Sequence, residues 1–157
     1  MTPQFRIEDV LPHEGRMLLL DELVEYGPDH VICALTVDAD TQFCEVGRGV
    51  PAWVGLEYMA QTMCAYSGID EARAGQKPSI GLLLGSRRYV AEVEWFPPGT
   101  RLSIRADLLL RDESDLVAFA CTIHDGARVL ARGDVKAIRP KDVLAVIRGE
   151  RVAGEAR

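Results

Sequence analysis

The stretch from Pro51 to about Gly75 constrains this chain more than any other. Trp53, Val54, Leu56, Tyr58, Met59, Ala60, Met63, Cys64, Ala65 and Tyr66 surround one helical axis on nearly all sides. A helix that is apolar all round must be buried. Pro51 suits its first turn, where the missing N–H is not needed. Charge returns at Asp70, Glu71 and Arg73, so the last turns are expected to reach water. Glu57 and Gln61 interrupt the apolar run, which argues against a membrane span. The rest of the chain has to supply the cover for this helix.

That cover reads as strands. Met17 to Tyr26 is a strand-like run stopped by Gly27-Pro28. From His30 to Asp38, Val31, Cys33, Leu35 and Val37 alternate onto one face, as in a strand with a single buried side. Four further strands are expected at about 79–92, 101–111, 115–124 and 128–138, separated by Pro97-Pro98-Gly99, Asp112-Glu113-Ser114 and Asp125-Gly126. Asp-Gly between alternating runs is a hairpin signal. Leu116 to Ile123 is apolar on both faces, which suits a central strand. Residues 5–10 read as a short helical turn and 39–50 as a loop. The order is two strands, a long helix, then four strands, with no parallel crossover repeat, so the class is α+β. Six antiparallel strands around one helix satisfy it. The tail after Pro140 reads as amphipathic, then polar and frayed.

Size and charge set outer limits. The chain has 157 residues and 48% hydrophobic content. About 150 residues bury roughly 68–70% of the unfolded-chain surface, enough for one core, so a single domain over 1–157 is expected. The net charge of −6 argues against non-specific nucleic-acid binding. Arg87 and Arg88 form a local basic pair that reads either as a solvated edge or as a meeting point for an acidic partner. Cys33, Cys44, Cys64 and Cys121 show no metal-ligand spacing, so neither zinc nor a disulfide scaffold is expected. Cys33, Cys64 and Cys121 read as small buried hydrophobes. The N-terminus lacks a basic start followed by an apolar run, so a cytoplasmic location without a signal peptide is expected.

Glu57 is the anomaly. A carboxylate on an apolar helix is costly to bury unless it is paired or protonated. Desolvation would raise its pKa, as suits a general acid, although a glutamate reaching solvent fits the pattern equally well. Gln61, one turn on, could hydrogen-bond Glu57 or a ligand. His13, before the first strand, is either structural or a candidate base. His30 and His124 read as boundary residues without a role. The N-terminus of the helix could offer N–H groups to a carbonyl oxygen.

Two blocks of residues resemble a known family. Leu11-Pro12-His13-Glu14-Gly15-Arg16-Met17-Leu18-Leu19-Leu20-Asp21 resembles the opening of the hot-dog-fold 3-hydroxyacyl-acyl-carrier-protein dehydratases. Pro51-Ala52-Trp53-Val54-Gly55-Leu56-Glu57-Tyr58-Met59-Ala60-Gln61 resembles their central helix, and its wording is closer still to the ApeP-like dehydratases of aryl polyene gene clusters. The order of elements matches over about residues 8–139. The resemblance implies a hot-dog dimer, homo- or heteromeric, with sites at the subunit interface and no cofactor. It implies loss of water from a 3-hydroxyacyl thioester held on an acyl carrier protein, in fatty-acid-like or aryl polyene biosynthesis.

Glu57 falls on the family's acidic position and would protonate the leaving hydroxyl while a histidine takes the C2 proton. Gln61, Trp53, Val54, Gly55 and Met59 would contact substrate, the acyl chain running beside Met59, Met63 and Trp53, with the helix N-terminus polarising the thioester carbonyl. One departure stands out. The family's loop histidine falls on Phe43, and residues 42–48 contain no histidine. Either His13 has become the base, or the chemistry has changed, or it is lost. A non-catalytic subunit pairing with an active dehydratase and a hot-dog thioesterase are the alternative readings.

Overall fold

A computed structural model describes residues 4–79, 81–114 and 116–138, without the side chains of Leu82 and Arg87. The tail from 140 and the side-chain half of the Arg87–Arg88 pair lie outside the described residues.

The chain opens with a one-turn helix, α1 (Ile7–Val10). It continues through β1 (Glu22–Tyr26), β2 (His30–Thr36) and the short β3 (Val50–Pro51). The central helix α2 (Gly55–Arg73) follows, entered through a 3-10 turn at Ala52–Val54. Then come β4 (Leu82–Ala91), the short β5 (Trp95–Phe96), β6 (Arg101–Arg111), β7 (Leu116–Asp125) and β8 (Arg128–Ile138). Six strands form one antiparallel sheet in the order β1-β2-β6-β7-β8-β4, and β3 pairs with β5. The expected elements are therefore present, with β7 inside the sheet.

Two expectations fail at their starts: the central helix begins at Gly55, because Pro51 pairs with Trp95 in β3 and a 3-10 turn intervenes. The strand foreseen from Met17 begins only at Glu22, because Gly15–Met17 close a 3-10 turn and Leu19 turns to the helix instead of to a strand. Leu19 N–H donates to the buried Gln61 Oε1 at 3.0 Å.

The sheet wraps α2, which packs against β2, β6, β7 and β8. Its core includes Tyr58, Met59, Ile104, Phe119 and Ile123, all fully buried. Each such side chain removed from water is worth about 1.5–3 kcal/mol. Cys33 and Cys121 are buried there and burial pushes both thiols up to about 12, as suits inert core residues. Cys64 is only half-buried. Among the described residues, no helix is long and apolar enough to cross a membrane.

Two close approaches set the height of the N-terminal segment along α2. A β-carbon on Gly68 would lie 1.8 Å from the Val10 carbonyl oxygen, so only glycine lets α1 seat there. About two turns back towards the N-terminus of α2, Gln61 grips Met17 and Leu19. Between these two anchors the chain runs alongside the helix and carries His13 with it.

Candidate active site

His13 and Glu57 line one cavity of about 140 Å³, with Pro12, Ala60, Met63, Cys64, Gly81, Leu83 and Ala137. Apart from His13, Glu57 and the Cys64 thiol, its lining side chains are apolar. Glu57 sits in the first turn of α2 and is half-buried, between the buried acid and the solvent-reaching glutamate that the sequence left equally open. Its Oε1 accepts a hydrogen bond from Gln61 Nε2 at 3.2 Å.

Gln61 is fully buried and committed at both ends of its amide. The same Nε2 donates to the Met17 carbonyl at 2.8 Å, while Oε1 accepts from Leu19 N–H. Of the two roles open to it, partner of Glu57 or ligand contact, it occupies the first. Its other bonds fasten the Leu-Pro-His segment to the helix that carries the acid.

His13 is half-buried, and its Nδ1 is buried without a hydrogen-bond partner. Desolvation lowers its pKa from the ordinary 6.5, and the charge of Glu57 partly opposes that shift. The imidazole is thus held neutral near pH 7, with one ring nitrogen unengaged. A neutral imidazole facing a carboxylate across an apolar cavity can take a proton from one atom of a ligand while the acid serves another.

The other expected site residues separate from this pair. Met63 lines the cavity, but Met59 is buried in the core, where a β-carbon on Gly133 would touch its sulfur at 3.4 Å. Val54 is buried and does not line the cavity. Trp53 is 67% exposed and stands 6.0 Å, centroid to centroid, from Phe43. Gly55 is a packing glycine: a β-carbon there would lie 2.3 Å from the Tyr89 hydroxyl. Its N–H bonds back to the Ala52 carbonyl, so it is not free to polarise a substrate carbonyl.

Phe43, the residue reached by counting back from Glu57 to the expected loop histidine, has a left-handed backbone, φ 70°. His30 pairs with Glu25 at 2.7 Å, and His124 bonds Thr122 at 2.8 Å. Among the described residues, no three His, Cys, Asp or Glu side chains gather to hold a metal. Sequence reasoning missed Leu83 and Ala137 as cavity walls. Their part depends on strand register across the sheet, which no local pattern reports.

Comparisons with known proteins identify the fold and the family. A family model described as ApeP-like, ApeP dehydratase, matches residues 5–148. A chain of the dehydratase heterocomplex ApeI:P from Xenorhabdus doucetiae superposes with a TM-score of 0.85 at 30% identity, covering 93% of this chain and 97% of that one. A mutant thioesterase from Staphylococcus aureus superposes at TM-score 0.58 and 12% identity, covering 76% of this chain and 93% of that one. A virulence protein from Campylobacter jejuni does so at 0.57 and 14%, covering 87% and 89%. At those identities the last two show only the shared fold. No curated protein matches the sequence. The fold is the hot-dog fold, and the chain belongs to the ApeP-like dehydratase family.

Proposed function

We propose that this protein removes water from a 3-hydroxyacyl thioester carried on an acyl carrier protein, giving the trans-2-enoyl thioester. The observation that carries the reading is the pairing of His13 and Glu57 across one apolar cavity. The neutral His13 takes the C2 proton. The C2–H electrons form the C2–C3 double bond as the C3–O bond breaks, and Glu57 gives its proton to the departing hydroxyl, which leaves as water. The proton then passes from His13 back to Glu57 and resets the pair. Gln61 is a positioning residue that holds Glu57 and the His13 segment at one height on the helix. The test is incubation of the purified protein with a 3-hydroxyacyl carrier protein, followed by mass spectrometry. An enoyl thioester supports the reading. Free acid would instead mark a thioesterase, and unchanged substrate would overturn the reading for this chain acting alone.

Pairing with a second hot-dog subunit is part of the proposal. β4 forms one edge of the sheet, and Leu83, Leu84 and Val90 on it are exposed. An unpaired apolar edge strand is a ready template for another strand. The assembly named for the Xenorhabdus protein is a heterocomplex, which supports pairing of this kind.

A second reading follows from Phe43. With no histidine in that loop, a partner subunit would bring the base and this chain only the acid. Activity of the homodimer, lost in His13→Ala, excludes it. Activity that appears only with a second subunit and survives His13→Ala favours it.

A further inference from the structure

A second cleft, of about 310 Å³, shares no residue with the His13–Glu57 cavity. Parts of the segments 16–21 and 35–42 meet around it with Tyr58 of α2. Its charge is one-sided. Asp21, Asp38 and Asp40 line it against a single cation, Arg16, whose Nε donates to Gln42 Oε1 at 2.6 Å. Among the described residues, no Lys, Arg or His pairs with any of the three carboxylates. Asp21 Oδ2 accepts from Thr36 N–H at 2.8 Å, and Asp38 Oδ1 from Asp40 N–H at 2.9 Å. Each of these bonds engages one oxygen of its carboxylate and leaves the negative charge unbalanced.

Carboxylates alone would make no more than a solvated rim. Tyr58 is the independent observation. It is fully buried and borders the cleft, and its hydroxyl has no hydrogen-bond partner among the described residues. A buried polar group left unpaired is rare in folded proteins. Burial, and then the charge of Asp21, push its pKa up, so the hydroxyl keeps its proton and lies where the Asp21 charge reaches it. Leu18, Leu19 and Leu35 add an apolar surface. Together these groups suit a ligand with a cationic head, a short apolar stem and a second positive end for Asp38 and Asp40. Among the described residues, no three His, Cys, Asp or Glu side chains are placed to hold a metal. An ammonium, with its three N–H donors, fits a carboxylate beside a hydroxyl oxygen better.

We infer that this cleft is a binding site for a small aliphatic diamine, with one ammonium held between Asp21 and the Tyr58 hydroxyl. The site is independent of the dehydration reading, since neither His13 nor Glu57 lines it. Calorimetry of the full chain with 1,4-diaminobutane, at an ionic strength fixed by sodium chloride, tests it. The diamine is expected to bind saturably, on the order of ten-fold tighter than 1-aminobutane. Asp21→Asn and Tyr58→Phe should each weaken it on the order of ten-fold, the worth of one hydrogen bond to a charged group. Tyr58→Phe keeps the ring and removes only an unpartnered hydroxyl, so its thermal midpoint without diamine should not fall. A purely structural tyrosine would therefore leave diamine affinity unmoved in that variant. Absence of saturable binding, equal binding of the monoamine, displacement of the diamine by equimolar magnesium chloride, or full affinity in either variant would overturn the inference.

Discussion

Gln61 Nε2 donates at once to the Met17 carbonyl, at 2.8 Å, and to Glu57 Oε1, at 3.2 Å. One buried amide therefore couples the segment that carries the candidate base to the residue that is the candidate acid. Replacing it with leucine leaves Leu19 N–H and the Met17 carbonyl without their partner. Gln61→Leu is expected to cost about 1–3 kcal/mol of unfolding free energy in urea. Turnover should fall as well, since both reacting groups lose their mutual height. Unchanged stability together with unchanged turnover would contradict this role.

Gly68 makes a sharper steric prediction. A β-carbon there would meet the Val10 backbone at 1.8 Å, and backbone does not yield as a side-chain tip does. Gly68→Ala should destabilise the fold by about 1–3 kcal/mol, as overpacking does. It should also displace α1 and lower kcat through His13. A variant as stable as the parent in a thermal melt would show that α1 is not seated on the helix as described.

His13 gives a pH dependence with a definite sign. Its folded pKa lies below the ordinary 6.5, chiefly through desolvation. Below 6.5 the unfolded chain takes up a proton that the folded chain resists, so stability falls as pH drops from 6.5 towards the folded value. Above 6.5 the penalty is absent. His13→Asn should flatten this part of the stability-pH curve, measured by denaturant melts between pH 7 and 5. In the active protein, the acid limb of kcat/KM should lie below 6.5, where the base is lost. An acid limb above 6.5 would remove His13 from the base role.

Among the described residues the outer edge of β4 is unpaired, which predicts assembly. Leu84 is exposed, and a charge on an edge strand blocks strand addition. Leu84→Lys should convert a dimer to a monomer in light scattering and leave the monomer folded by circular dichroism. A parent protein that is already monomeric, or a variant that still dimerises, would place the interface elsewhere.

The element order was legible in the sequence because it rests on local periodicity. The alternation of His30–Thr36 and the all-round apolar character of 55–73 each report burial residue by residue. Glu57 stood out for the same reason, as the charge that breaks the pattern. His13 was legible as a candidate base, but its place in one cavity with Glu57 was not. It depends on Gly68 meeting Val10 and on Gln61 reaching back more than forty residues to Met17, contacts that leave no periodic trace. The close approach of α1 requires a glycine at position 68, which no periodic pattern reports. Met59 and Met63 were indistinguishable in sequence, and only their positions on the helix separate core from cavity wall.

The central claim is that Glu57 and His13 act as one acid–base pair. Its most direct test is a double-mutant comparison of kcat on a 3-hydroxyacyl carrier protein, using Glu57→Gln, His13→Ala and the two combined. General acid and base groups each contribute typically 10²–10⁴-fold, and residues that act as a unit are not additive. Each single variant should lose about a hundred-fold or more, and the double variant little beyond the worse single one. A His13→Ala protein that keeps the parent rate while Glu57→Gln is inactive would contradict the pairing and assign the base to another group.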